Sequence, residues 1–384
     1  MMQPVYLDYN ATTPVAPEAL EAMMPYLCEH FGNPVSGHAF GEQPEEAIYA
    51  AREQVAACVG ACPDEIIFTS GGTESNNLAL LGVMRALKRR NAHVVISMVE
   101  HPSIENVCRH LESEGHCGTR LPVDATGRVA PSDLRVALRP ETALVSVMLA
   151  NNEVGTLQPV KELAAIAHEH GALMHTDAAQ AVGKAPVDVD ELGVDLLSIA
   201  GQKMYAPKGV GALYVRRDTP LYPLMYGANQ ENGLRPGTQN VPYIVALGVA
   251  CQLASARLDE YAGHMRAMRD RLYRALLDAD LFPRLNGHPE LRLPNTLSVG
   301  FAGLLAADLL LAMKGEVAAS AGSACHTGSI EISSVLQAMG VPLDVAAGTL
   351  RLSTGRGTTE VDIDRAAAVI IQAVQSLRAQ QLLR

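Results

Sequence analysis

A chain of 384 residues, 48% hydrophobic and 18% charged, is large enough for one large α/β domain with a smaller companion, which excludes a mini-protein, a repeat array and a mainly disordered state. Acidic residues outnumber basic ones 41 to 30, for a formal net charge of −11, and that sign argues against direct nucleic-acid binding. No apolar run reaches the roughly 20 residues that a bilayer crossing needs.

In chain order, the start Met1-Met2-Gln3-Pro4-Val5 has no charged segment leading into an apolar core, so a cytoplasmic protein without a membrane partner is expected. Glu65 to Thr69 reads as a strand, Ser70-Gly71-Gly72-Thr73 as a turn, and Glu74 to Lys88 as a helix. Further strands are predicted at His93 to Met98, Ala143 to Leu149, Ala172 to Thr176, Asp195 to Ile199 and Gly211 to Val215, each rich in Val, Ile or Leu. Helical periodicity lies between several of them, as in Val160 to His170, closed by Gly171. Strands alternating with helices predict a mainly parallel sheet covered on both faces.

Beyond about residue 255 the pattern changes. A charged amphipathic helix, Leu258 to Asp278, leads to a strand at Asn295 to Val299, a helix at Ala306 to Met313 and a Gly/Ala/Ser-rich stretch, Ala318 to Ser329. A last strand, Thr349 to Ser353, precedes a helix from Val361 to Leu383. This is the pattern of a smaller α/β domain, onto which the first residues are expected to return. The division expected is a large domain over 15–255 and a small one formed by 1–14 with 256–384.

Seven scattered cysteines, Cys28, Cys58, Cys62, Cys108, Cys117, Cys251 and Cys325, lack the short paired spacings of a zinc site, so reduced thiols and no metal are expected. Cys325 stands apart, because Ser320 to Ser329 is small and polar and suits an exposed mobile loop in which His326 would favour the thiolate. Cys28, Cys58, Cys108 and Cys251 fall in helical patterns and are expected to act as small hydrophobes.

The Ser70 to Thr73 turn places backbone N–H groups at a helix N-terminus, where an anion such as phosphate is favoured, although an ordinary βα turn reads the same way. Asp177 lies at the end of one strand and Lys203 just past another, on the edge where open α/β sheets gather ligands. A phosphate turn, a carboxylate and a lysine in this order are the parts that a pyridoxal phosphate enzyme needs. His101 follows a third strand, placed either to stack on a planar ring or to cap the next helix. Asn151-Asn152-Glu153 offers amides at the same edge, and Arg351 and Arg356 lie on and just beyond the last strand, where a guanidinium suits a substrate carboxylate.

These pieces occur in an ordered set: Tyr6 to Pro14, Gly32-Asn33-Pro34, Thr69 to Asn77, Val99 to Pro102, Asn151 to Glu153, Thr176 to Gln180, Lys203 with Pro207-Lys208-Gly209, Arg235 to Thr238, Gly322 to Cys325 and Arg351 to Thr359. The set resembles the cysteine desulfurases of the fold-type I pyridoxal phosphate class, in the group whose nucleophile rides on a long loop. The resemblance implies conversion of L-cysteine to L-alanine with transfer of sulfur to Cys325 as a persulfide. It implies that Lys203 holds the cofactor aldehyde and later moves the Cα proton, that His101 stacks on the ring, that Asp177 pairs with its nitrogen and that Gln180 approaches its hydroxyl. Gly72, Thr73 and Thr238 would hold the phosphate, Thr238 reaching across from a second subunit of a homodimer. Asn152 and Arg351 would hold the substrate carboxylate, and a sulfur-acceptor protein would follow, in iron–sulfur cluster assembly or another thiolation route.

Two positions depart from the family, which has a Ser and a His where this chain has Ala200 and Gln202. Both family residues touch the phosphate, so weaker cofactor retention is expected, since Gln202 donates without charge and the Ala200 side chain donates nothing. Gly227-Ala228-Asn229-Gln230-Glu231 stands where a Gly-rich run is usual. A selenocysteine lyase and a catalytically weakened sulfur-transfer scaffold are the rival readings.

Overall fold

The computed structural model describes residues 3–88, 91–326 and 329–382, with side chains throughout except at 323–331. Its strands are β1 (Val5–Tyr6), β2 (Ile66–Thr69), β3 (His93–Ser97), β4 (Cys117–Leu121), β5 (Thr142–Ser146), β6 (Leu173–Asp177), β7 (Leu196–Ala200), β8 (Gly211–Val215), β9 (Arg284–Asn286), β10 (Thr296–Gly300), β11 (Val317–Ala318), β12 (Ser320–Ala321), β13 (Ser323–His326), β14 (Ser329–Ile332) and β15 (Thr349–Ser353).

Seven of them form one sheet in the order β2-β8-β7-β6-β5-β3-β4, parallel except where β8 runs antiparallel to both neighbours. The strands are short apolar runs because both faces are covered. Val94 and Ile96 pack with Leu78, Val83 and Leu111 of the helices Gly72–Leu87 and Pro102–Ser113. Val95, between them, packs with Val55, Leu163 and Leu247 of the helices Ala39–Val59, Val160–Glu169 and Val241–Ala256 on the opposite face. That is the two-residue alternation of a strand buried on both sides. β4 escapes the sequence reading because Cys-Gly-Thr-Arg-Leu is an edge strand whose first four residues are not buried and which lacks an aliphatic run. β5 is shorter than the expected Ala143 to Leu149 because the chain leaves the sheet after Ser146.

A second, antiparallel sheet, β12-β15-β10-β9, packs on the helices Leu258–Asp278 and Glu360–Leu382 through Leu272, Val299, Leu350 and Ile370. Beside it β1 pairs with β11 in a separate parallel two-stranded sheet, Leu7 is fully buried in the same core, and Asp8 bridges to Ser353 of β15. The Gly/Ala/Ser-rich stretch expected as a loop is instead a set of short strands, with β13 and β14 paired so that Cys325 opposes Ile330; the Cys325 and His326 side chains lie outside the described residues. Cys108 and Cys251 are buried as expected and Cys58 half-buried, but Cys28 is exposed, because the short helix Pro25–Cys28 buries no residue. Among the described residues no single helix is long and apolar enough to cross a membrane.

Two buried histidines stitch the parallel sheet. His93 on β3 bonds Thr142 of β5 and Thr119 of β4, each at 2.8 Å. His175 on β6 bonds Ser146 of β5 at 2.8 Å and Ser198 of β7 at 3.0 Å. Burial pushes His175 down to about 3 from the ordinary 6.5, so it stays neutral and spends both ring nitrogens on its neighbours. A folded-state value below the unfolded one means that this contribution is full above about pH 6.5 and declines as the pH falls toward 3. His175→Gln is therefore expected to cost more stability at about pH 7.5 than at about pH 5, by about 2 kcal/mol in urea unfolding; an equal cost at both would contradict a neutral imidazole.

Candidate active site

The ends of the strands that run parallel in the large sheet open into a cleft of about 380 Å³. Each wall is a turn that follows a strand. After β2 the chain passes through Gly71, whose φ of +146° favours glycine, into the helix Gly72–Leu87. Gly72 and Thr73 at that N-terminus line the cleft, where the free backbone N–H groups favour an anion. A Cβ at Gly72 would meet the Ala200 methyl at 3.3 Å, so the two small residues face each other across the cradle.

After β3, Ser97 Oγ donates to Glu100 Oε1 at 2.5 Å and Met148 N donates to the same oxygen at 3.0 Å, which ties the ends of β3 and β5 together. Burial pushes the Glu100 carboxyl up to about 8. His101 comes next and caps the helix Pro102–Ser113. Its Nδ1 accepts from Ser103 N at 3.1 Å and contacts Ser103 Oγ at 2.7 Å, so Nδ1 carries no proton and Nε2 bears the hydrogen. Desolvation at the cleft lowers the imidazole from its usual value, against the nearby Asp177 charge. Capping and cleft-lining are thus one role of one ring.

Asp177 ends β6. Its Oδ2 accepts from Asn76 Nδ2 at 2.7 Å and its Oδ1 from Ala179 N at 2.9 Å. Asn76 Nδ2 also donates to Ser103 Oγ at 2.8 Å, so Asp177, Asn76, Ser103 and His101 form one chain of hydrogen bonds drawn from three strand ends. Gln180 Nε2 donates to Asn10 O at 2.9 Å, and its Oε1 accepts from the buried Lys184 Nζ at 2.8 Å.

After β7 a single 3₁₀ turn, Gly201–Lys203, delivers the lysine. Lys203 Nζ donates to the carbonyls of Asn10 at 2.8 Å and Ala11 at 2.7 Å. Burial, reinforced by the Arg351 charge, brings it down to about 8, which raises the share of nucleophilic free amine. The N-terminal segment holds that turn: Thr13 N donates to Gln202 O at 2.9 Å and Tyr205 N to Thr13 Oγ1 at 2.8 Å. Gln202 lines the cleft, and its Oε1 is buried without a partner.

Asn152 and Arg351 close the cleft on the side of the second sheet. Arg351 pairs with Asp8 at 2.8 Å, donates to Ser320 Oγ at 2.9 Å, and keeps a buried Nε without a partner. Arg356 sits elsewhere, between the rings of Tyr205 and Tyr261 at 4.3 and 4.1 Å. Thr238 is exposed and does not line the cleft of its own chain. Cys325 is placed by its backbone alone. Sequence reasoning missed Asn10, Asn76 and Ser103 as individual site residues; the first two fall within the motifs Tyr6 to Pro14 and Thr69 to Asn77, but only the folded contacts give them work. Among the described residues no group of three or more His, Cys, Asp or Glu is placed to hold a metal ion.

A mainly parallel sheet with a lysine, a carboxylate and an anion cradle along one edge defines a class, and the chain belongs to the aminotransferase class-V family, whose model matches residues 5–366. It is 47% identical over 98% of its length to a curated relative from Dictyoglomus turgidum named cysteine desulfurase IscS, 96% of which is covered. Among solved structures it resembles a NifS-like protein at 36% identity and a TM-score of 0.91, covering 98% of this chain and all of that one. It also resembles SspA, solved in complex with cysteine, at 36% identity and a TM-score of 0.81, over 93% of this chain and all of that one.

Asn76→Asp sets a second carboxylate against Asp177. It is expected to lower stability by about 3 kcal/mol at neutral pH, the scale of a disrupted buried charge network, with recovery in acid as one member of the pair takes a proton. Thermal midpoints equal to the wild type across pH would contradict the Asp177–Asn76 contact.

Proposed function

We propose that this cleft is the active centre of a pyridoxal 5′-phosphate-dependent cysteine desulfurase that takes sulfur from L-cysteine onto Cys325 and leaves L-alanine. The observation that carries the reading is the convergence of Lys203, Asp177, His101 and the Gly72–Thr73 turn on one cleft whose far wall holds Arg351. The curated relative's name and the cysteine complex of the solved relative SspA agree with it.

The residues fit the cofactor. An N-terminal cradle that any side chain at Gly72 would crowd suits a phosphate. A carboxylate held from behind by two donors suits a protonated ring nitrogen. A half-buried amine brought down to about 8 suits an aldehyde. When bound, pyridoxal phosphate supplies an electron sink for the pair left at the substrate Cα.

Asp177, fixed by Asn76, keeps that sink electron-poor. His101, anchored by Ser103, would lie against the ring, and Gln180 would face its hydroxyl. Gly72, Thr73 and Gln202 hold the phosphate. Arg351, with its spare Nε, and Asn152 hold the substrate carboxylate. Lys203 Nζ would hold the cofactor aldehyde and is the group proposed to take the substrate Cα proton and to return it. Cys325 Sγ, as thiolate, attacks the substrate sulfur: a sulfur–sulfur bond forms as the Cβ–sulfur bond breaks, and a proton gained at Cβ together with the proton returned to Cα yields alanine.

The division of labour follows the chain: residues 15–255 bind the cofactor, while 1–14 with 256–384 form a smaller domain that brings Cys325. The protein acts as a homodimer. Exposed Phe31, Phe40 and Tyr226, at 71%, 62% and 85% exposure, supply apolar surface for a second copy, and the outward-facing Thr238 completes the adjoining subunit's cradle. The persulfide passes to an acceptor protein, for which iron–sulfur cluster assembly in the cytoplasm is the route proposed.

Alanine release and persulfide labelling from L-cysteine test the activity. Cys325→Ser is expected to abolish both while leaving cofactor absorbance intact; undiminished alanine release would overturn the assigned nucleophile. Gln202→His is expected to tighten cofactor binding several-fold by adding a charge-assisted donor, read by titrating the apo-protein, and equal affinities would remove Gln202 from the phosphate.

A further inference from the structure

Thr238 sits on a segment held with unusual care for an exposed loop. At one end lies Glu231, buried, with φ of 48° and followed by Asn232 at 56°, both left-handed. Its carboxylate accepts from both terminal nitrogens of Arg52 at 2.7 Å, from Phe68 N of β2 at 2.9 Å and from Gln239 Nε2 at 2.6 Å. Gln239 lies just past Thr238, so one carboxylate closes the segment on itself and pins it to the strand that leads into the cradle. Gly237 N donates to Gln230 Oε1 at 3.0 Å and shortens the tip further. A second tie runs from the middle of the segment. Arg235 Nε donates to Glu74 Oε1 at 2.9 Å, and Glu74 Oε2 accepts from Ser70 N at 2.7 Å. Glu74 is held below its usual value by Arg235 and the Ser70 donors, against its burial.

The closure through Glu231 sets where the segment is rooted, and the Arg235–Glu74 pair sets how its tip leans. Because both ties are charged and largely withdrawn from water, the exposed tip loses little further freedom when it meets a ligand. We propose that Arg235 is a positioning residue for Thr238, aiming its hydroxyl at the phosphate site of the adjoining subunit; the proposal rests on the homodimeric reading above.

The test is a double-mutant cycle on cofactor affinity, measured by titrating apo-protein and following absorbance, with the mass of each protein in solution taken alongside. Thr238→Ala is expected to weaken binding about tenfold, the scale of one hydrogen bond to a charged group. Arg235→Gln is expected to weaken it several-fold, Arg235→Lys to restore part of that loss, and the double variant to match Thr238→Ala within about twofold, all as dimers. If the two losses multiply, Arg235 acts on the cradle of its own chain through Glu74 and the proposal falls. It falls equally if Arg235→Gln binds like the wild type. A dimer in which Thr238→Ala binds normally, or a wild-type protein that is a monomer, overturns the homodimeric reading first and the proposal with it.

Discussion

The site depends on a carboxylate held at the wall of the cleft by neutral donors. Asp177 is 7% exposed, and its two oxygens are occupied by Asn76 and by the backbone of Ala179. A buried acid placed this way is stabilised by neutral donors behind it and leaves its remaining lone pairs to whatever occupies the cleft. The same amide passes the constraint to Ser103 and so to the His101 ring. Strand ends of a packed sheet give this arrangement its precision, because none of the participating backbones can shift without disturbing a core buried on both faces.

The turn that carries Lys203 is held from far away in the chain. Lys203 rests on the carbonyls of Asn10 and Ala11, its turn is clamped by Thr13, and Arg351 is paired with Asp8. The first residues, rooted by the β1–β11 pair and bridged to the second sheet from Asp8 to Ser353, therefore contact both groups that would handle the substrate's amine and its carboxylate. A movement of the second sheet relative to the first would be felt at Lys203 through this strap, a physical route by which approach of the segment bearing Cys325 and readiness of the amine can be linked.

The parallel strands were legible because Val, Ile and Leu recur where both faces are covered, and the placement of Asp177 and Lys203 followed from the rule that ligands gather at strand ends. The edge strand Cys117–Leu121 was not, since a Gly and an Arg in five residues carry no such pattern. The hydrogen-bond chain through Asn76 and Ser103 joins residues 101 positions apart in sequence, and the Asp8–Arg351 pair spans 343; contacts of that range are products of topology and leave no local signal. Of the two arginines near the last strand, only the fold separates the one at the cleft from the one held between tyrosine rings. The departures at Ala200 and Gln202 were visible as residues, but that Gln202 keeps an unpartnered buried oxygen was not.

Of two amines in this region, the half-buried Lys203 rather than the buried Lys184 is proposed to bond covalently to the cofactor. Lys184 is the sharper competitor, fully enclosed and pushed down to about 7 by burial and neighbouring cations, yet it donates to Gln180 and does not line the cleft. Reducing the loaded protein with borohydride and mapping its peptides by mass measures this directly. The account predicts a pyridoxyl adduct on the peptide containing Lys203 and on no other; an adduct on Lys184, or on any lysine outside the cleft, would contradict it.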